Sequence, residues 1–118
     1  MAPTPAPTNL LIVWSRDDRE TALKMAFLYG LNAKRKGWWD RVQLCIWGPS
    51  ARLMATDSEL QEKLKEMKEE GVELTACKVC SDSYPGVTET LERLGVDVKL
   101  MGTPLTEMLK SGWATLTF

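Results

Sequence analysis

Residues 9–18 read Asn-Leu-Leu-Ile-Val-Trp-Ser-Arg-Asp-Asp (NLLIVWSRDD). Asn9 to Trp14 is a short, continuous apolar run, the pattern of a strand covered on both faces. Ser15-Arg16-Asp17-Asp18 then supplies capping oxygens and negative charge suited to a helix start. From about Asp18 to Lys36 the pattern is helical. Ala22, Met25, Ala26, Tyr29 and Ala33 make one stripe, and Leu23, Phe27 and Leu31 a second, offset one. Two stripes exceed what one sheet face needs, so this helix is either deeply buried or packed against another subunit.

The alternation continues along the chain. Gly37 ends the first helix, and Arg41 to Trp47 is the second strand. Gly48-Pro49-Ser50 breaks it, and a helix clearest from Ser58 to Glu70 follows. Leu60, Leu64 and Met67 line one face of that helix, and its charge run is a solvated face. Val72 to Ala76 is the third strand, Val87 to Leu94 a short helix, and Val96 to Met101 the fourth strand. Leu105 to Lys110 is a last short helix, and Trp113 to Phe118 a final β-rich run. The order β-α-β-α-β-α-β-α-β predicts an α/β protein with a mostly parallel, doubly wound sheet of flavodoxin- or Rossmann-like type. The strand order is not readable from this pattern.

The chain has 118 residues, of which 44% are hydrophobic. One domain over residues 9–118 is expected, preceded by a disordered Pro-rich leader at residues 1–8 that lacks the features of a signal peptide. The net charge of −1, without a clustered basic stripe, argues against nucleic-acid binding. The longest apolar run, Leu10 to Trp14, is far too short to span a membrane. Histidine is absent, which excludes a Ser-His-Asp or Cys-His enzyme within one chain and removes the commonest metal ligand. Three cysteines, an odd number, suit a reducing, cytoplasmic location better than a disulfide framework.

Ligands of open parallel sheets bind beyond the carboxyl ends of the strands. Four predicted loops form that edge: Trp14-Ser15-Arg16-Asp17, Trp47-Gly48-Pro49-Ser50, Cys77-Lys78-Val79-Cys80 and Gly102-Thr103-Pro104. Pocket candidates are Trp14, Ser15, Arg16, Trp47, Gly48, Ser50, Lys78 and Thr103, although each also suits a plain turn or cap. The cysteine loop stands apart. A thiol after a central strand and ahead of a helix sits where backbone dipoles favour an anion, and the thiolate is the reactive form. At a spacing of three, Cys80 can meet Cys77. Cys77 can then hold a transferable sulfur, with Cys80 as an auxiliary thiol that resolves or protects it. Three other readings remain open. They are a zinc site short of ligands, a thioredoxin-like redox pair, and inert buried thiols. Cys45, inside the second strand, reads as a core thiol. No G-x-G-x-x-G or Walker A pattern is present.

The chain resembles the DsrE/DsrF-like family of small sulfur-handling proteins. The stretches that carry the resemblance are NLLIVWSRDDRETALKMAFLYGL, RVQLCIWGPSARLMA, GVELTACKVCSDSYPGV and GVDVKLMGTPLTEMLKSG. The resemblance implies a three-layer α/β/α fold with a five-stranded parallel sheet, and assembly as a homotrimer or hexamer. In sulfur-relay members a cysteine directly after the third strand carries a persulfide and passes it to a partner protein. Cys77 matches that position, whereas Cys80 has no equivalent there. In place of the members' small-residue helix and paired-arginine-glycine motif, this chain reads Lys78-Val79-Cys80-Ser81-Asp82-Ser83-Tyr84.

The expected function is that of a sulfur carrier or sulfurtransferase-like protein with its persulfide on Cys77. Its partners would be sulfur donor and acceptor proteins, and no organic cofactor or metal is required. The alternative is a non-enzymatic oligomeric module that uses the same cleft for a small anion or a partner protein.

Overall fold

A computed structural model describes residues 5–118. Five strands, β1 (Asn9–Trp14), β2 (Arg41–Ile46), β3 (Glu73–Cys77), β4 (Asp97–Lys99) and β5 (Ala114–Thr117), form one sheet in the order β4-β3-β2-β1-β5. Every neighbouring pair is parallel. The chain steps outward from β1 to β4 and then returns to the far side of β1, so the order reverses at β1.

The helices are α1 (Arg19–Thr21), α2 (Phe27–Arg35), α3 (Ser50–Thr56), α4 (Ser58–Glu69), α5 (Lys78–Asp82), α6 (Val87–Arg93) and α7 (Gly102–Lys110). A π-helical turn, Ala22–Ala26, joins α1 to α2. The predicted capping segment works through Asp18, whose carboxylate accepts from the Glu20 and Thr21 amides at 3.0 and 3.1 Å. Asp57 separates α3 from α4 and caps the latter by accepting from the Leu60 amide at 3.0 Å. At the end of the predicted leader, Thr8 O accepts from the Asp40 amide at 2.8 Å. Its residues 1–4 lie outside the described residues.

Side chains alternate across a strand, so each strand feeds two layers. Leu10, Ile12 and Trp14 share one face with Val42, Leu44, Ile46, Leu74 and Ala76. This face packs against α2, α3, α4 and α6 in the larger core. Leu11 and Cys45 point the other way, into a smaller core with Cys77, Met101 and Met108 of the α7 side. The register explains the grouping. Val13 pairs with Cys45, and Cys45 with Thr75, which puts Cys77 two residues further along β3 on the same face.

Helix α2 lies close against the larger face. A Cβ built on Gly30 would come within 3.1 Å of both Ile12 Cδ1 and Met67 Cε, so the absent side chain sets that approach. The two predicted stripes are only partly buried. Ala22, Ala26, Phe27, Leu31 and Ala33 are in the core, Leu23 and Tyr29 are half-buried, and Met25 is about half exposed.

Candidate functional site

At the carboxyl edge of the sheet, the ends of β1, β2 and β5 are tied by hydrogen bonds. Ser50 Oγ donates to Trp14 O at 2.6 Å and to Trp47 O at 3.1 Å. Ser15 donates to Phe118 O through both its amide (2.7 Å) and its Oγ (2.9 Å). Both predicted pocket serines therefore spend their hydroxyls on neighbouring backbone. Trp14 is fully buried on the larger face, edge-on to Phe27 at 5.1 Å between ring centroids. It is separated from the cysteines by the sheet itself.

The cysteine segment differs from the predicted loop. Cys77 is the last residue of β3, with extended backbone (φ −72°, ψ 117°), and it stands at the N-cap position of α5. Lys78 to Asp82 form that helix, so Cys80 lies on its first turn. At this spacing Cys80 lies one turn beyond Cys77, and its side chain packs against the core cluster that holds Cys77. The Gly48 backbone N–H, in the turn after β2, favours the Cys80 thiolate. Among the predicted pocket residues, Gly48 and Trp47 are thus brought to the cysteines, the former by its amide and the latter as part of the apolar wall.

Burial orders the three thiols. Cys45 is wholly enclosed, Cys77 is 6% exposed, and Cys80 is partly open to solvent. All are free. Burial pushes the Cys45 thiol up to about 12, against a hydrogen bond with the Thr75 side chain that favours the thiolate. Burial also raises the Cys80 thiol, and its hydrogen bond to Cys77 adds to this, while the Gly48 amide pulls the other way. Leu11, Met101 and Met108 complete the wall, with Val13, Leu105 and Trp113 packed against it.

The remaining candidates are at the rim. Lys78 turns to Asp82 (Nζ to Oδ2, 2.9 Å), which holds the ammonium above its ordinary value, so its charge is engaged on its own helix. Arg16 and Thr103 are exposed. Val79, between the two cysteines in sequence, and Leu100, just after β4, are 68% and 66% exposed.

Sequence reasoning did not place Met101, Met108 and Cys45 beside the pair. A signal existed in the matching parity of Cys45 and Cys77 on adjacent strands, but it required the register to be known. Among the described residues, no group of three or more His, Cys, Asp or Glu side chains is placed to hold a metal ion. A pair of adjacent free thiols can take up a sulfane sulfur, pass it between them, or close to a disulfide.

A model of the DsrE/DsrF-like family matches residues 21–118. The chain belongs to the DsrE/DsrF-like family. A conserved protein of unknown function from Bacteroides thetaiotaomicron has a similar structure, with a TM-score of 0.89 and 37% identity over 94% of this chain and 95% of that one. No curated protein matches the chain. Membership of a DsrE/DsrF-like family suggests a sulfur-relay-like function. No helix among the described residues is long and apolar enough to cross a membrane.

Proposed function

We propose that this DsrE/DsrF-like protein is a cytoplasmic sulfur carrier of sulfurtransferase type, with a persulfide resident on Cys77. The supporting observation is the position of Cys77 at the end of the third strand, walled by apolar groups against which a second thiol, Cys80, packs. A thiolate attacks the outer sulfur of a donor persulfide R–S–SH. The donor's S–S bond breaks, R–S⁻ leaves and takes up a proton, and the protein gains one sulfur atom without net oxidation. Reversal of the same step onto an acceptor thiol discharges it. The partners are donor and acceptor proteins, and the chemistry asks for no organic cofactor.

Incubation of the reduced protein with a low-molecular-weight persulfide, followed by alkylation and peptide mass mapping, tests this. The wild type is expected to gain one sulfur that comes to rest on Cys77, and the double variant Cys77→Ser/Cys80→Ser none. No gain in the wild type, or an equal gain in the double variant, would overturn the proposal. The burial of Cys77 favours a second reading, a binding module without thiol chemistry. That reading predicts no gain on any thiol.

We also propose that the protein assembles as a homotrimer or hexamer. An open hollow of about 420 Å³ lies between the first helix and the β5 edge, lined mainly by Met25, Leu28, Trp38, Leu116 and Phe118. Met25, Leu28, Trp38 and Leu116 are exposed, an apolar surface beside an edge strand that suits burial against another copy. Met25→Glu/Leu28→Glu is expected to reduce the assembly to monomers in light scattering with its circular dichroism unchanged. A monomeric wild type, or a variant that keeps its assembled mass, refutes this surface.

A further inference from the structure

We propose that sulfur enters through Cys80 and is then handed inward to Cys77. The proposal rests on the sulfur-carrier reading and assigns the order of the two thiols within it. Thiol exchange requires the nucleophilic sulfur to reach the donor's outer sulfur along the S–S axis, so access decides which thiol reacts first. Cys77 is 6% exposed and lies in the smaller core with Leu11, Met101 and Met108. A donor carrying any substituent on its inner sulfur has no approach to it without displacing that wall. Cys80, one helical turn on, is partly open to solvent. It is flanked by exposed Val79, and its side chain packs against the core cluster that holds Cys77.

The two steps balance. The Cys80 sulfur, as thiolate, attacks the outer sulfur of R–S–SH. The donor S–S bond breaks, R–S⁻ departs and is protonated, and Cys80 carries –S–SH. The Cys77 sulfur then attacks that outer sulfur. The S–S bond on Cys80 breaks, and the proton given up by Cys77 passes to the departing Cys80 sulfur. Sulfane sulfur is neither made nor lost, and no oxidant is involved. Attack on the inner sulfur would instead release hydrogen sulfide and close a Cys77–Cys80 disulfide, which is a distinguishable product.

Time-resolved loading with a low-molecular-weight persulfide tests the order. Samples are quenched by alkylation and mapped by mass spectrometry. In the wild type the added sulfur is expected on Cys80 first and on Cys77 later. Cys77→Ser is expected to load at the wild-type rate and to keep the sulfur on Cys80. Cys80→Ser is expected to load Cys77 about tenfold or more slowly, and iodoacetamide should label its Cys77 slowly in the fold but normally in urea, which locates the defect in access. If Cys80→Ser loads Cys77 at the wild-type rate, the order is wrong while the carrier reading stands. If the wild type takes up no sulfur, both fail.

Discussion

Trp14→Ala is expected to lower the free energy of unfolding by about 3–5 kcal/mol, among the largest losses available from one side chain of this protein. Trp14 is fully buried in the larger core, with its ring edge-on to Phe27 at 5.1 Å and 80°. Truncation removes that aromatic pair and leaves a cavity between the sheet and the first helix, where the neighbours are already held close. Trp14→Phe is expected to cost far less. The indole Nε1–H is buried without an acceptor among the described residues. A buried donor left unpaired carries a penalty of about 1–3 kcal/mol, and phenylalanine removes the donor while keeping most of the apolar bulk. The two terms oppose each other, so the phenylalanine variant should fall within about 1–2 kcal/mol of wild type. Equilibrium urea denaturation followed by circular dichroism measures both variants. A loss below about 1 kcal/mol for Trp14→Ala, far under the usual cost of truncating a buried aromatic side chain, would show that this ring is not central to the core.

Trp14 also illustrates what the sequence could and could not disclose. The run NLLIVW was legible as a strand covered on both sides, and the alternation that follows it was enough for a parallel α/β sheet. Those features depend on local composition and on where glycines stop helices. The assignment of Trp14 to a pocket depended on something else, namely which face of β1 looks toward the cysteines. Trp14 has the parity of Leu10 and Ile12, whereas Cys77 shares a face with Cys45 and Leu11. Parity was available in the sequence, but the register that links β1 to β3 through β2 was not.

The cysteine segment shows the same division. Its position at the end of the third strand was readable, yet its form was not. The strand runs to Cys77, one residue beyond the predicted Ala76, and Lys78 to Asp82 are helical although Ser81, Ser83, Pro85 and Gly86 signal a turn. The turn is real but begins later, after Asp82. The enclosure of Cys77 was further out of reach. It depends on Met101 and α7 lying over the second face, which follows from the return of the chain to β5. The break between α3 and α4 at Asp57 and the π-helical turn at Ala22–Ala26 likewise leave apolar spacing almost unchanged, so periodicity alone does not reveal them.

Above pH 9 the fold is expected to lose stability through Cys45, by about 4 kcal/mol over the full titration window. The thiol ionises at an ordinary value of 9.0 when exposed and at about 12 in the fold, because burial opposes its charge. Well below the first value the group is protonated in both states and contributes no pH dependence. Between the two values the unfolded chain releases a proton that the folded chain retains. Unfolding then becomes more favourable, with a slope that approaches about 1.4 kcal/mol for each pH unit. Cys80, whose thiol is also raised, adds in the same direction. The comparison that isolates Cys45 is therefore with Cys45→Ala, measured by urea denaturation at pH 7, 9 and 10 under reducing conditions. Cys45→Ala should be the less stable protein at pH 7, because it leaves a small void in a wholly enclosed site. Its deficit should shrink by about 1 kcal/mol between pH 9 and pH 10, where the exposed thiol passes from half to mostly ionised. Parallel curves for the two proteins would mean that Cys45 ionises with equal ease in both states, contrary to its enclosure between Thr75 and the second core.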